Sequence, residues 1–124
     1  MSLIDVNYYT FEDGTNPIDP FLDSLDVKMR AKVFRTIGLL EEFGINLRMP
    51  HSEYLEDGIF ELRIKQGSNI ERILYFFFTN NQAILTNGFT KKQAKTPPGE
   101  LRLAKDRKKD YERRTQNERL QKKP

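Results

Sequence analysis

Residues 58–97 read GIFELRIKQGSNIERILYFFFTNNQAILTNGFTKKQAKTP, and this stretch decides the fold. Phe60, Leu62 and Ile64 alternate with Glu61, Arg63 and Lys65, the period of two of a strand buried on one face. Gln66-Gly67-Ser68-Asn69 is turn chemistry, with Gly67 and Asn69 both able to take positive φ. Ile70 to Thr79 then carries Ile73-Leu74-Tyr75-Phe76-Phe77-Phe78, apolar on both faces, which suits a central strand. Asn80-Asn81 reads as a two-residue hairpin turn, and Ala83 to Phe89 as the returning strand. The whole is an antiparallel meander that runs into a lysine-rich loop.

The turns fix a register. If Lys65 pairs with Ile70, Arg63 faces Arg72 on the next strand; if Thr79 pairs with Gln82, Arg72 faces Phe89, just ahead of Thr90-Lys91-Lys92. Like charges directly opposite each other destabilise a sheet. Two neighbouring arginines, with Lys91, Lys92 and Lys95 just beyond, therefore demand a compensating anion, and a phosphate backbone supplies one. Pairing of Arg63 or Arg72 with Glu61 or Glu71, exposure to water, or a one-residue bulge between them would remove that demand.

Working outward, 124 residues suit one domain with a single core. No apolar run approaches the ~20 residues of a membrane span and no signal-peptide pattern opens the chain, so a soluble cytoplasmic protein without a membrane partner is expected. With no cysteine and one histidine, neither a disulfide framework nor a metal site is expected, and no cofactor. Charge is unevenly spread. Residues 1–88 hold 8 Lys and Arg against 13 Asp and Glu, whereas residues 89–124 hold 13 against 5. Such asymmetry suits a polyanionic partner at one end of the molecule, or else a solvated basic helix.

Val6 to Tyr9 is a strand candidate. Asn16-Pro17 reads as an N-cap followed by proline at the first helical position, opening a short helix with Phe21, Leu22 and Leu25. A longer helix runs from about Asp26 to Phe43, with Met29, Val33, Ile37 and Leu40 as its apolar stripe, widened by Phe34 and Phe43 and stopped by Gly44. Its role is to cover one face of the sheet. Ile45 to Asp57 reads as a connection, and the lone His51 in it as a surface or structural residue. Thr96 is the candidate cap of a last helix, with Pro97-Pro98 in its first turn. That helix has a thin stripe of Leu101, Ala104 and Tyr111 among Arg102, Lys105, Arg107 and Lys109. From Arg113 on the chain is almost wholly polar, so the reading is a domain over 1–112 and a disordered basic tail over 113–124.

Tyr8 or Tyr9 on a first strand, two helices, the meander and a final helix give an α+β order β-α-α-β-β-β-α. With Glu61-Leu62-Arg63, Arg72-Ile73-Leu74-Tyr75-Phe76-Phe77, Asn87-Gly88-Phe89-Thr90-Lys91-Lys92 and Lys95-Thr96-Pro97, residues 5 to 112 resemble the phage-derived, HigB-like branch of the RelE toxin superfamily. The resemblance implies the toxin of a type II toxin–antitoxin pair: an endoribonuclease, or mRNA interferase, that cuts messenger RNA, commonly on the ribosome. Its partner would be a HigA-like helix-turn-helix antitoxin. By position, Arg72 matches the meander arginine that such enzymes aim at the scissile phosphate, Arg63 the basic residue one strand away, and Lys91 or Lys92 the basic residue after the last strand. Glu61 stands where RelE itself has a lysine. No tyrosine or histidine falls clearly at the family's C-terminal catalytic position, and Tyr111 suits core packing. The expected chemistry is attack by the substrate's own 2′-hydroxyl, with Arg and Lys stabilising the phosphorane in place of a metal and a lysine or Glu61 as base. Lys95, Arg102, Lys105, Arg107 and Lys109 would grip flanking phosphates. Two other readings stay open: a ParE-like toxin that inhibits a partner enzyme such as gyrase, and a non-catalytic RNA- or ribosome-binding module.

Overall fold

The computed structural model describes residues 3–79, 81–92 and 94–121. Five strands form one mixed sheet: β1 (Asp5–Tyr8), β2 (Ser52–Glu56), β3 (Ile59–Gln66), β4 (Asn69–Phe78) and β5 (Gln82–Thr90). The helices are α1 (Ile18–Asp23), α2 (Val27–Phe43) and α3 (Pro98–Gln121), with a short 3-10 turn at Gly44–Asn46. The spatial order is β1-β5-β4-β3-β2, antiparallel except that β1 runs parallel to β5. The doubly apolar β4 is thus the middle strand, as its composition demands.

The expected connection over Ile45 to Asp57 hides a strand. β2 pairs antiparallel with β3 around a two-residue turn, where Asp57 (φ 51) and Gly58 (φ 81) are both left-handed, the geometry that Asp-Gly favours in tight hairpins. At the β3–β4 turn Gly67 takes φ 60 while Asn69 is already in the strand. Lys65 pairs with Ile70 and Arg63 with Arg72, as expected. The second hairpin differs. Asn80 lies outside the described residues, and Phe78 rather than Thr79 pairs with Gln82. Leu74 pairs with Asn87 and Tyr75 with Leu85, so Thr86 is a bulge that absorbs the offset and returns Arg72 to its place opposite Phe89.

Each sheet face has its own core. On one, Leu62, Ile64, Ile73, Tyr75 and Leu85 pack with Ile18 and Leu22 of α1 and with Met29, Val33, Ile37 and Leu40 of α2. Asn16 Oδ1 accepts from the Ile18 and Asp19 N–H groups and so caps α1. Asp26 caps α2 by accepting from Met29 N–H at 2.8 Å. Phe34 and Phe43 do not widen the buried stripe; they are 50% and 45% exposed, because one sheet covers only one side of a helix and these two project beyond it.

The other face packs Ile59, Leu74, Phe76, Ile84 and Phe89 against Ala104, Leu101 and Tyr111 of α3. Tyr111 sits 5.7 Å from the Phe76 ring and 5.1 Å from that of Phe78, a core residue as expected. Residues 113–121, expected to be disordered, continue α3. Asp110 pairs with Arg113 at 2.6 Å and Arg114 at 2.8 Å, Arg114 donates to the Thr10 carbonyl at 2.5 Å, and Arg119 lies over Phe78. Charged side chains thus supply the anchoring that apolar ones do not. Residues 122–124 lie outside the described residues.

Candidate functional site

The α3 face of the sheet is not covered to its end. Past Leu101 lies the row that the β3–β4 register builds: Glu61 beside Leu74, then Arg63 beside Arg72. Glu61 is buried, its side chain 1% exposed. Its Oε1 lies 3.3 Å from Arg63 Nη1, 3.3 Å from Arg72 Nε and 3.6 Å from Lys91 Nζ. Its Oε2 accepts the Thr96 hydroxyl at 2.5 Å. The anion that the two arginines demand is therefore supplied within the protein. Burying a carboxylate is costly unless it is paired and hydrogen-bonded, and here three cations and a hydroxyl do both.

The cations remain in excess. Arg63 reaches back to Glu53 of β2 at 2.7 Å. Arg72 is almost fully buried; its Nη1 donates to the Glu71 carbonyl at 2.9 Å, while Nε approaches Glu61 without hydrogen-bond geometry. Burial, and then the neighbouring Arg63 guanidinium, pull the Arg72 pKa below the ordinary arginine value, with Glu61 opposing them. Arg63, Arg72 and Lys91 against the two carboxylates Glu61 and Glu53, with Lys92 in addition, leave a local surplus of positive charge facing a cleft of about 530 Å³ lined by Arg63, Ile70, Arg72, Lys91, Lys92 and Ala94. No lining residue of this cleft is acidic. A second cleft, about 360 Å³, lies beside it and mixes Lys91, Lys95 and Arg63 with Glu53, Glu56 and Glu61.

Of the residues expected at the site, Glu61, Arg63, Arg72 and Lys91 are brought into one cluster, with Lys92 and Lys95 on the walls of its clefts. The basic residues of α3 do not join them. Lys105 is held by Glu56 and Asp57 at the β2–β3 turn. Arg107 donates to the Thr86 carbonyl at 2.8 Å and lies over the Tyr9 and Phe11 rings, fastening α3 to the bulge. Arg102 and Lys109 are exposed on α3, with Lys109 beside Asp57, Lys105 and Lys108. His51 contributes its carbonyl, which accepts Arg63 N–H at 2.8 Å.

Thr96 is the residue that sequence reasoning misassigned. The Pro97 carbonyl accepts the first helical N–H groups, from Glu100 and Leu101, and the Thr96 hydroxyl is turned instead to Glu61. Only its place directly after Lys95 hinted at the site. No group of three or more His, Cys, Asp or Glu is placed to hold a metal ion among the described residues, and no helix among them is long and apolar enough to cross a membrane.

Fold and site define a small α+β domain whose sheet carries a cation-lined cleft beyond the end of its last helix. A family model described as "Phage derived protein Gp49-like (DUF891)" matches residues 20–109, and the chain belongs to that family, a RelE/toxin-like family associated with the toxins of toxin–antitoxin systems. The matched span contains Glu61, Arg63, Arg72, Lys91 and Thr96. No curated protein matches the chain.

Proposed function

We propose that this protein is the toxin of a type II toxin–antitoxin pair, of the HigB-like kind, and that it cleaves messenger RNA on the ribosome. The observation that carries the reading is the surplus of Arg63, Arg72, Lys91 and Lys92 over the paired carboxylates Glu61 and Glu53, opening on a cleft with no acidic lining. An RNA phosphate in that cleft meets guanidinium and ammonium groups already held in place, so extra charge on a phosphorane is stabilised without reorganisation. The substrate 2′-oxygen bonds to phosphorus, the bond to the 5′-oxygen breaks, and a 2′,3′-cyclic phosphate remains. The 2′-hydroxyl proton goes to a base and a proton is returned to the leaving oxygen.

Both oxygens of Glu61 are engaged, by Thr96 on one side and by cations on the other. Glu61 is therefore assigned to hold the cations, Lys91 among them, which leaves Lys92 on the wall of the same cleft as the candidate base. A HigA-like antitoxin, with its helix-turn-helix fold, is the proposed partner. Expressed alone, the protein should arrest translation and leave cut messages, and EDTA should not prevent cutting in an extract. Intact messages beside a poisoned gyrase would replace this reading with a ParE-like one.

A further inference from the structure

Arg63 also lines a third cleft, around the edge of the sheet. The β2 pairing ends at Ser52 opposite Leu62, so the remaining residues of β3 have no strand beside them on that side, and α2 packs across this part of the fold. The Lys32 ammonium on α2 donates to the Lys65 carbonyl, and the His51 carbonyl accepts from Arg63 N–H. Between them lies a cleft of about 450 Å³ with Leu39, Pro50 and Ile64 as its floor and Arg35, His51 and Lys65 around it. No lining residue is Asp or Glu, although the first 88 residues as a whole are acidic.

An apolar floor and a cationic surround select a ligand with a flat apolar body and a negative charge beside it. A purely apolar ligand gives the cations nothing to do, and a bare phosphate leaves the floor wet. The volume lies in the range of small-molecule sites, ~300–1,000 Å³, and planar cations such as Arg35 favour stacking on a heterocycle. We propose that this cleft is a nucleotide subsite. It takes the base and ribose of a nucleotide whose strand bends round the β3 edge from the phosphate held among Arg63, Arg72, Lys91 and Lys92 on the α3 face, with Arg63 bordering both clefts. The inference rests on the RNA-cleaving reading for the identity of that neighbouring phosphate.

Binding separates the two. The protein, labelled at its Leu and Ile methyl groups and at arginine Nε, is titrated with adenosine 3′-monophosphate, with uridine 3′-monophosphate and with ribose 5-phosphate. Saturable shifts of the Leu39 and Ile64 methyls are expected with the nucleotides and not with the base-less sugar phosphate, while Arg63 Nε responds to all three. Leu39→Trp, which fills the cleft, should weaken nucleotide binding at least tenfold and leave ribose 5-phosphate binding unchanged. Because Leu39 also touches the core, Arg35→Glu at an exposed position is the companion variant, and it too should weaken nucleotide binding. Equal methyl shifts with nucleotide and sugar phosphate, or unmoved methyls, overturn the subsite. Methyl shifts in a protein that cuts no RNA would keep the nucleotide site and discard the nuclease; RNA cut with unmoved methyls would do the reverse.

Discussion

Replacing Arg72 by Gln takes one of three cations from a carboxylate that has no solvent to turn to. Removing one partner of a buried ion pair costs about 3 kcal/mol or more, so a urea midpoint well below wild type is expected, even though the same change relieves repulsion with Arg63. Cleavage, measured where the variant is still folded, should fall about a hundredfold, the ~3 kcal/mol that one lost electrostatic contact to a transition state is worth. Wild-type stability in Arg72→Gln would mean that Arg63 and Lys91 hold Glu61 unaided. Glu71, next in the chain, behaves oppositely. Burial raises its carboxyl pKa, and the Thr90 hydroxyl and Arg72 only partly pull it back. The folded state then holds this proton more tightly than the unfolded chain, so stability falls as pH rises from the ordinary glutamate value of 4.5 through the raised one. Between about pH 3 and pH 7 the unfolding free energy of Glu71→Gln should therefore gain on wild type, and a difference that does not change with pH would contradict the burial argument. At this scale the cations were legible, because strand register can be counted from turns. What Thr96 bonds was not, because that depends on where a loop returns in space.

Among the elements, the meander was readable and its neighbours less so. Period-two alternation and a Gly-containing turn place β3 against β4 with little else required. β2 is Ser52-Glu53-Tyr54-Leu55-Glu56, mostly exposed at the sheet edge, so it has almost no burial pattern to read; the Asp57-Gly58 turn is its clearest mark. The closing part of α3 was missed for a related reason, since its anchors are guanidinium groups and not apolar side chains. Where α1 meets β5, the sequence carries a glycine with a steric purpose. A Cβ on Gly88 would lie 2.4–2.7 Å from three Phe21 ring atoms. Gly88→Ala should therefore destabilise by about 1–3 kcal/mol, as overpacking does, and a double change with Phe21→Leu should recover part of the loss in urea melts. Equal melting of Gly88→Ala and wild type would show that α1 shifts freely.

Over the whole molecule, the acidic first part and the basic last part meet along α3 and the loop before it. The end of α3 both packs and carries charge, so shortening it should have two readouts. Truncation after Glu112 removes Arg114 and Arg119 with their contacts to Thr10, Tyr9 and Phe78. It should cost about 1.5–3 kcal/mol for the charged hydrogen bond, whereas truncation after Gln116 keeps Arg114 and should cost much less. RNA affinity in both should fall most at low salt, where lost cations count most; an equal loss of stability in the two would assign the anchoring to Arg119 instead. Finally, among the described residues β1 has its only sheet neighbour in β5, with Asp5 beside Gln82. A growing chain made at ~5–20 residues per second must therefore carry its first strand unpaired for roughly 4 to 15 seconds before a partner exists. Lys91 and Thr96, which complete the grip on Glu61, are made later still. The nascent chain therefore cannot assemble this cluster before Thr96 has been made.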